Sequence, residues 1–215
     1  HAKPDGPTID LFVRELVPRS KAHKRDDLPV LLFLQGGPGF PSARPSVPPS
    51  GWQKAALQNY RVLLLDQRGT GRSTPATPQA LLGLGSAVAQ AEWLSQFRAD
   101  SIVRDCEMVR SRLLADGGKL TLLGQSFGGF CILSYLSLFP HAVEHAIFTF
   151  GLAPVGVDID DVYRATYKRM ESRNERFYRR YPGDVELVRS LVRHLHNVRP
   201  CTAPTRSRVR TLTAR

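Results

Sequence analysis

A chain of 215 residues, 42% of them hydrophobic, is long enough to bury one α/β core, or one domain plus part of another. Its net charge is +11, and five of those charges are Arg199, Arg206, Arg208, Arg210 and Arg215, in a stretch without an acid. The remaining +6 (11 less 5) is interleaved with Asp and Glu along predicted helices, which describes a solvated basic surface and excludes the clustered stripe and motifs of a nucleic-acid binder.

No apolar run approaches the ~18 residues of a membrane span, so no membrane partner is expected. Cys106, Cys131 and Cys201 are odd in number and lack a C-x-x-C, so neither a disulfide framework nor a zinc site is indicated, and a reducing, cytoplasmic setting follows. Because the chain starts at His1 and not Met, residues ahead of it are expected to be missing.

In chain order, the alternation of Ile9, Leu11 and Val13 with Asp10, Phe12 and Arg14 predicts an early strand, followed by a basic loop from Arg19 to Asp27. Pro29 to Leu34 is a continuous apolar run, as a buried parallel strand requires, and it ends in Gln35-Gly36-Gly37-Pro38-Gly39. A Pro/Ser-rich loop leads to a short helix near Trp52 to Leu57. Arg61 to Leu65 is a second buried strand, ending at Asp66-Gln67-Arg68-Gly69. Thr74 to Ala91 carries little signal and reads as loop. Ile102, Cys106, Val109 and Leu113 recur at helical spacing, with Gly117-Gly118 as the stop. Lys119 to Leu123 is a third buried strand, a helix runs from Ser126 to about Leu138, and His145 to Phe150 is a fourth strand closed by Gly151.

Strands alternating with helices imply an α/β class: a mostly parallel sheet covered on both faces. The predicted core spans residues 1–153. From residue 154 to 196 the pattern changes to two polar-rich helices broken by Pro182-Gly183, the start of a lid, with Tyr163, Tyr167, Met170 and Phe177 on one stripe. Residues 197–215, rich in Arg, Pro and Thr, read as a disordered basic tail.

The chemistry centres on Gly124-Gln125-Ser126-Phe127-Gly128, a G-x-S-x-G. The pattern alone is weak, but here a strand enters it and a helix leaves, as a nucleophile elbow requires. The tight turn demands small residues at Gly124 and Gly128 and lifts the Ser126 hydroxyl clear at the C-terminal end of the sheet. The Gln35–Gly39 loop follows another buried strand and so lies at that same end, where its glycines let backbone N–H groups approach a developing oxyanion. Gly37 and Phe127 are the expected oxyanion donors, and Gly36 and Gln125 the residues lining the substrate. Gln35 and Pro38 support the loop, and Asp66 and Arg68 are expected to brace it by charge-assisted hydrogen bonds.

The trio QGGPG, DQRGTGRS and GQSFGGF, in this order, resembles the proline iminopeptidases of the α/β-hydrolase superfamily, as do FRADSIVRDCEMVRSRL and the segment DVYRATYKRMESRNERFYRRYP. The likeness covers roughly Ile9 to Leu195. It implies an α/β-hydrolase fold, a Ser-Asp-His triad without metal or other cofactor, and a peptide substrate with N-terminal proline or a similar residue. Gln35 stands where that family usually has His, which implies tuning of the loop and not its loss. The resemblance also implies a cis bond between Gly37 and Pro38. The triad order of the superfamily is Ser, acid, His, which puts both partners beyond the lid and makes this chain a truncated part, incomplete at its C-terminal end. Local substitutes fail on distance: His141 and His145 follow a helix of ~13 residues, ~20 Å long. His194 and His196 lie on the lid helices with no acid evident beside them. The first two functional readings are a serine aminopeptidase seen in part, with a broader esterase or amidase as its near neighbour, and an inactive truncated hydrolase that acts by binding; the third and least favoured is nucleic-acid association through the basic tail.

Overall fold

The computed structural model describes residue 6, residues 8–115 and residues 117–198. Five strands form one sheet: β1 (Phe12–Leu16), β2 (Val30–Leu34), β3 (Arg61–Asp66), β4 (Leu120–Gln125) and β5 (Val143–Thr149), in the order β1-β3-β2-β4-β5. β2, β3, β4 and β5 are parallel, and β1 runs antiparallel to β3 with Phe12 opposite Asp66. Every residue of β2 and β3 is buried, as their unbroken apolar runs require of central strands. β5, at the end of the order, is half-exposed.

The pleat divides these strands between two cores. On one face Leu32, Leu34, Leu63, Leu65 and Leu122 pack on α4 (Ala99–Leu113) through Ile102, Val103 and Cys106, and on α5 (Phe127–Leu138) through Cys131, Ile132 and Tyr135. On the other, Leu31, Phe33, Val62, Leu64 and Leu123 are met by Ala56 of α1 (Gly51–Ala56), Leu57 and Tyr60. Trp52 of α1 stacks on Phe33 at 4.6 Å between ring centroids. Both faces are thus covered, the second by less helix than the first.

Three expectations need correction. The early strand starts at Phe12, beyond Ile9, because its pairing with β3 begins opposite Asp66. Arg19–Asp27 is not a loop but tight 3₁₀ turns, broken at Lys24. The stretch 74–91 holds α2 (Pro78–Leu82) and the start of α3 (Ala87–Leu94). Each begins at a hydroxyl cap: Thr77 accepts from the Ala80 N–H and Ser86 from the Ala89 N–H, with Pro78 in the first helical turn, where its missing N–H costs nothing.

The chain divides into two compact units, with the boundary between Ala153 and Pro154. The second contains α6 (Ile159–Arg180), capped by the Asp158 carboxylate on the Asp160 N–H, and α7 (Asp184–Asn197). Tyr163, Tyr167, Met170 and Phe177 of α6 are all exposed. Asn197 ends α7, and the expected tail from residue 199 onward lies outside the described residues. No helix among the described residues is long and apolar enough to cross a membrane.

The larger core encloses titratable groups. The Tyr135 hydroxyl donates to Glu107 at 2.7 Å, and Arg110 holds the same carboxylate at 2.6 Å. Burial pushes Glu107 upward, but the bonds from Arg110 and Tyr135 outweigh it and hold the carboxyl below its usual range. Burial, then the Glu107 bond, pushes Tyr135 up. Burial also raises the Cys106 thiol and pushes Cys131 up to about 12.

These three raised groups set an alkaline limit. The unfolded chain releases their protons from about pH 8.5 (thiols) and about pH 10 (tyrosine), while the folded chain keeps them, so stability present at neutral pH falls as pH rises through that window. Urea midpoints at about pH 7 and about pH 10 should show a clear loss at the higher pH. An unchanged midpoint would mean that the buried groups ionise as readily folded as unfolded.

Candidate active site

β4 runs out at Gln125, and Ser126 turns the chain into α5 with φ 52° and ψ −115°. A side chain rarely adopts positive φ, and the strain is of order 1–3 kcal/mol. Here the surroundings impose it. The Ser126 N–H donates to the Thr149 carbonyl at 3.1 Å, and the Ser126 carbonyl accepts from the Gly129 N–H at 2.8 Å. The Thr149 hydroxyl donates to the Gly124 carbonyl at 3.1 Å, tying β5 to the same turn.

Close backbone approach explains the glycines. A Cβ on Gly128 would lie 2.0 Å from the Leu34 carbonyl oxygen, and one on Gly124 would lie 2.5 Å from the Gly128 carbonyl oxygen. Two further contacts were not legible in the motif: a Cβ on Gly129 would meet the Gly151 carbonyl oxygen at 2.5 Å, and one on Gly151 the Ser126 carbonyl oxygen at 1.7 Å. Ser126 and Gln125 remain exposed. Phe127, as first residue of α5, keeps its N–H outside the helical ladder.

The loop after β2 comes to the same place. A Cβ on Gly36 would stand 3.0 Å from the Ser126 Cβ and 2.8 Å from the Gln125 carbonyl oxygen, so Gly36 lies directly against the turn. Gly37 has φ 123° and precedes a cis bond to Pro38, as the resemblance implied. Gly36, Gly37, Gln125, Ser126 and Phe127 are therefore brought together at one end of the sheet.

The bracing differs from the expectation. Arg68 does not reach the 35–39 loop: it turns to α4 and forms a two-armed ion pair with Asp105, both bonds 2.6 Å, and donates to the Gln96 carbonyl at 2.8 Å. Asp66 does hold the loop, but at its far end, accepting from the Ser42 N–H at 3.0 Å and from the Arg72 N–H at 2.9 Å. Gln67, which sequence reasoning passed over, donates its side-chain amide to the Gln35 carbonyl at 3.1 Å. The Gln35 side chain makes no hydrogen bond among the described residues.

The described histidines of this unit stand elsewhere. His145 pairs with Thr121, five residues before Ser126 along β4, roughly 16 Å away at ~3.3 Å per residue. His141 sits in the turn beyond α5, a helix of 12 residues and hence ~18 Å. His23 belongs to the turns leading into the start of β2. No group of three or more potential metal ligands occurs among the described residues.

A mostly parallel sheet whose strand β4 ends in a glycine-lined serine turn, with a glycine loop from β2 laid against it, defines an α/β hydrolase. A family model described as the alpha/beta hydrolase fold matches residues 29–191, and the chain belongs to that family. Within it, the chain is similar to the proline iminopeptidase of Aeromonas sobria: 51% identical over 202 residues, covering 93% of this chain and 46% of that protein. It is also similar to the proline iminopeptidase aneH of Aspergillus aculeatus: 39% identical over 200 residues, covering 91% and 44%. The chain thus spans less than half the length of these curated relatives. Among solved structures, an epoxide hydrolase from Vigna radiata gives a TM-score of 0.47 at 20% identity, over 74% of this chain and 41% of that one.

Two stability effects follow. Ser126→Gly removes the positive-φ strain and should raise stability by about 1 kcal/mol in denaturant unfolding, the relief exceeding the extra entropy of glycine. Asp105→Ala leaves the Arg68 guanidinium, 9% exposed, without its carboxylate and should lower stability by about 3 kcal/mol in the same assay.

Proposed function

We propose that Ser126 is the nucleophile of a serine aminopeptidase that releases N-terminal proline, or a similar residue, from peptides. The observation that carries this reading is the strained, exposed Ser126 with Gly36 packed against it. The similarity to proline iminopeptidases supports the substrate class.

In this reading the Ser126 Oγ attacks the carbonyl carbon of the N-terminal residue. Its proton passes to a general base other than His23, His141 and His145, and the oxyanion accepts hydrogen bonds from the Gly37 and Phe127 N–H groups. Collapse breaks the peptide bond, that base returns the proton to the leaving amine, and water releases the acyl group from Ser126. Gly36 and Gln125 border the acyl group. Pro38, Asp66 and Arg68 are structural: Asp66 at the far end of the loop, Arg68 through α4.

The positions of His23, His141 and His145, away from Ser126, support a second reading: a hydrolase fold that binds without turnover. Loss of a triad histidine lowers kcat by roughly 10⁶, or ~8 kcal/mol. A fluorophosphonate probe separates the readings. Labelling that disappears in Ser126→Ala is the expected result for a working nucleophile, and an unlabelled chain favours binding alone. Prolyl-amide hydrolysis in excess of simple ester hydrolysis then distinguishes a peptidase from a broader esterase.

A further inference from the structure

We infer that Asp66 and Gln67 form a two-point clamp that sets the 35–42 loop against Ser126, with Gln67 a positioning residue for the oxyanion step. The inference rests on the reading of Ser126 as nucleophile and of the Gly37 N–H as an oxyanion donor.

The loop needs an external hold. It contains Gly36, Gly37 and Gly39, and nothing lies within 4 Å of where a Gly39 Cβ would be. Glycines give such a segment wide conformational freedom. Its two ends, in contrast, are gripped by consecutive residues at the exit of β3. At the near end Gln67, 2% exposed, donates to the Gln35 carbonyl. A buried amide of this kind is retained when it is hydrogen-bonded, and this is its bond. At the far end the Asp66 carboxylate takes the Ser42 N–H, while the Ser42 hydroxyl donates to the Leu65 carbonyl at 2.8 Å.

The clamp is itself fixed. The Gln67 carbonyl accepts from the Thr70 N–H at 3.0 Å and from the Thr70 hydroxyl at 2.7 Å. Gly71 makes room for the carboxylate, since a Cβ there would fall 2.2 Å from the Asp66 Oδ2 and 2.6 Å from the Pro41 Cβ. On the loop, Gln67 grips the carbonyl of residue 35 and Asp66 the N–H of residue 42. They therefore read the path of the chain and not its side chains. This accounts for a loop that keeps its place with Gln35 where the resemblance implies His.

The test uses the whole chain with two readouts, the backbone order of Gly36 and Gly37 by NMR relaxation and the rate of fluorophosphonate labelling at Ser126. Gln67→Met keeps the length and bulk of the side chain but not the donor. It should lower the order of both glycines and slow labelling about tenfold. Gln67→Glu should behave alike at neutral pH and regain the order as the buried carboxyl protonates and donates to the Gln35 carbonyl again. Gln35→Ala keeps the carbonyl and should retain the order. A packing role would leave Gln67→Met like the parent and give no acid rescue of Gln67→Glu; unchanged order in Gln67→Met overturns the clamp. An unlabelled parent chain counts against the nucleophile reading alone, and the clamp is then decided by the relaxation data.

Discussion

The Leu34 carbonyl oxygen lies where a Cβ on Gly128 would be, 2.0 Å away, and most of the site depends on that approach. It brings the end of β2 under the first turn of α5, which forces the chain to reverse at Ser126 with positive φ. The same crowding recurs between Gly124 and Gly128, Gly129 and Gly151, and Gly151 and Ser126. A methyl group at any of these points would push backbone apart, and no rotamer change relieves a backbone clash. The strain at Ser126 is thus held by three strands and a helix, not by the turn alone.

Much of this was legible in the sequence, because the signals were local. The buried runs Val30–Leu34, Arg61–Asp66 and Leu120–Gln125 are central strands, and each ends in the glycine-bearing motif that their parallel packing brings to a common edge. The helix at 99–113 was visible in the spacing of Ile102, Cys106 and Val109. What was missed falls into two kinds. α2 and α3 have no apolar stripe, so a search for periodicity passes over them, although Thr77-Pro78 and Ser86 were available as caps. The roles of Asp66, Gln67 and Arg68 depend on partners 24, 32 and 37 residues away. No pattern within the motif shows which of three neighbouring polar residues faces the loop and which faces α4.

Little-exposed charges of the first unit are held in pairs. Arg68 and Asp105 neutralise each other in two parallel bonds, and Arg110 and Glu107 do the same beneath Tyr135. Such pairs carry little net stability against an apolar alternative but are strongly missed when one partner goes. They link α4 to the end of β3 and to α5, so the helix that covers the larger core is also fastened, through Arg68, to the residue beside Gln67.

The contacts of Asp66 and Gln67 also bear on how the sheet finds its alignment. Parallel pairing of β3 with β2 has a side-chain period of two and a rise of ~3.3 Å per residue. A slip by one residue would carry the Gln67 amide that far from the Gln35 carbonyl and leave a buried donor and the Ser42 N–H without partners. The polar ends of β2 and β3 therefore proofread a register that their leucine-rich interiors, apolar on both faces, distinguish poorly.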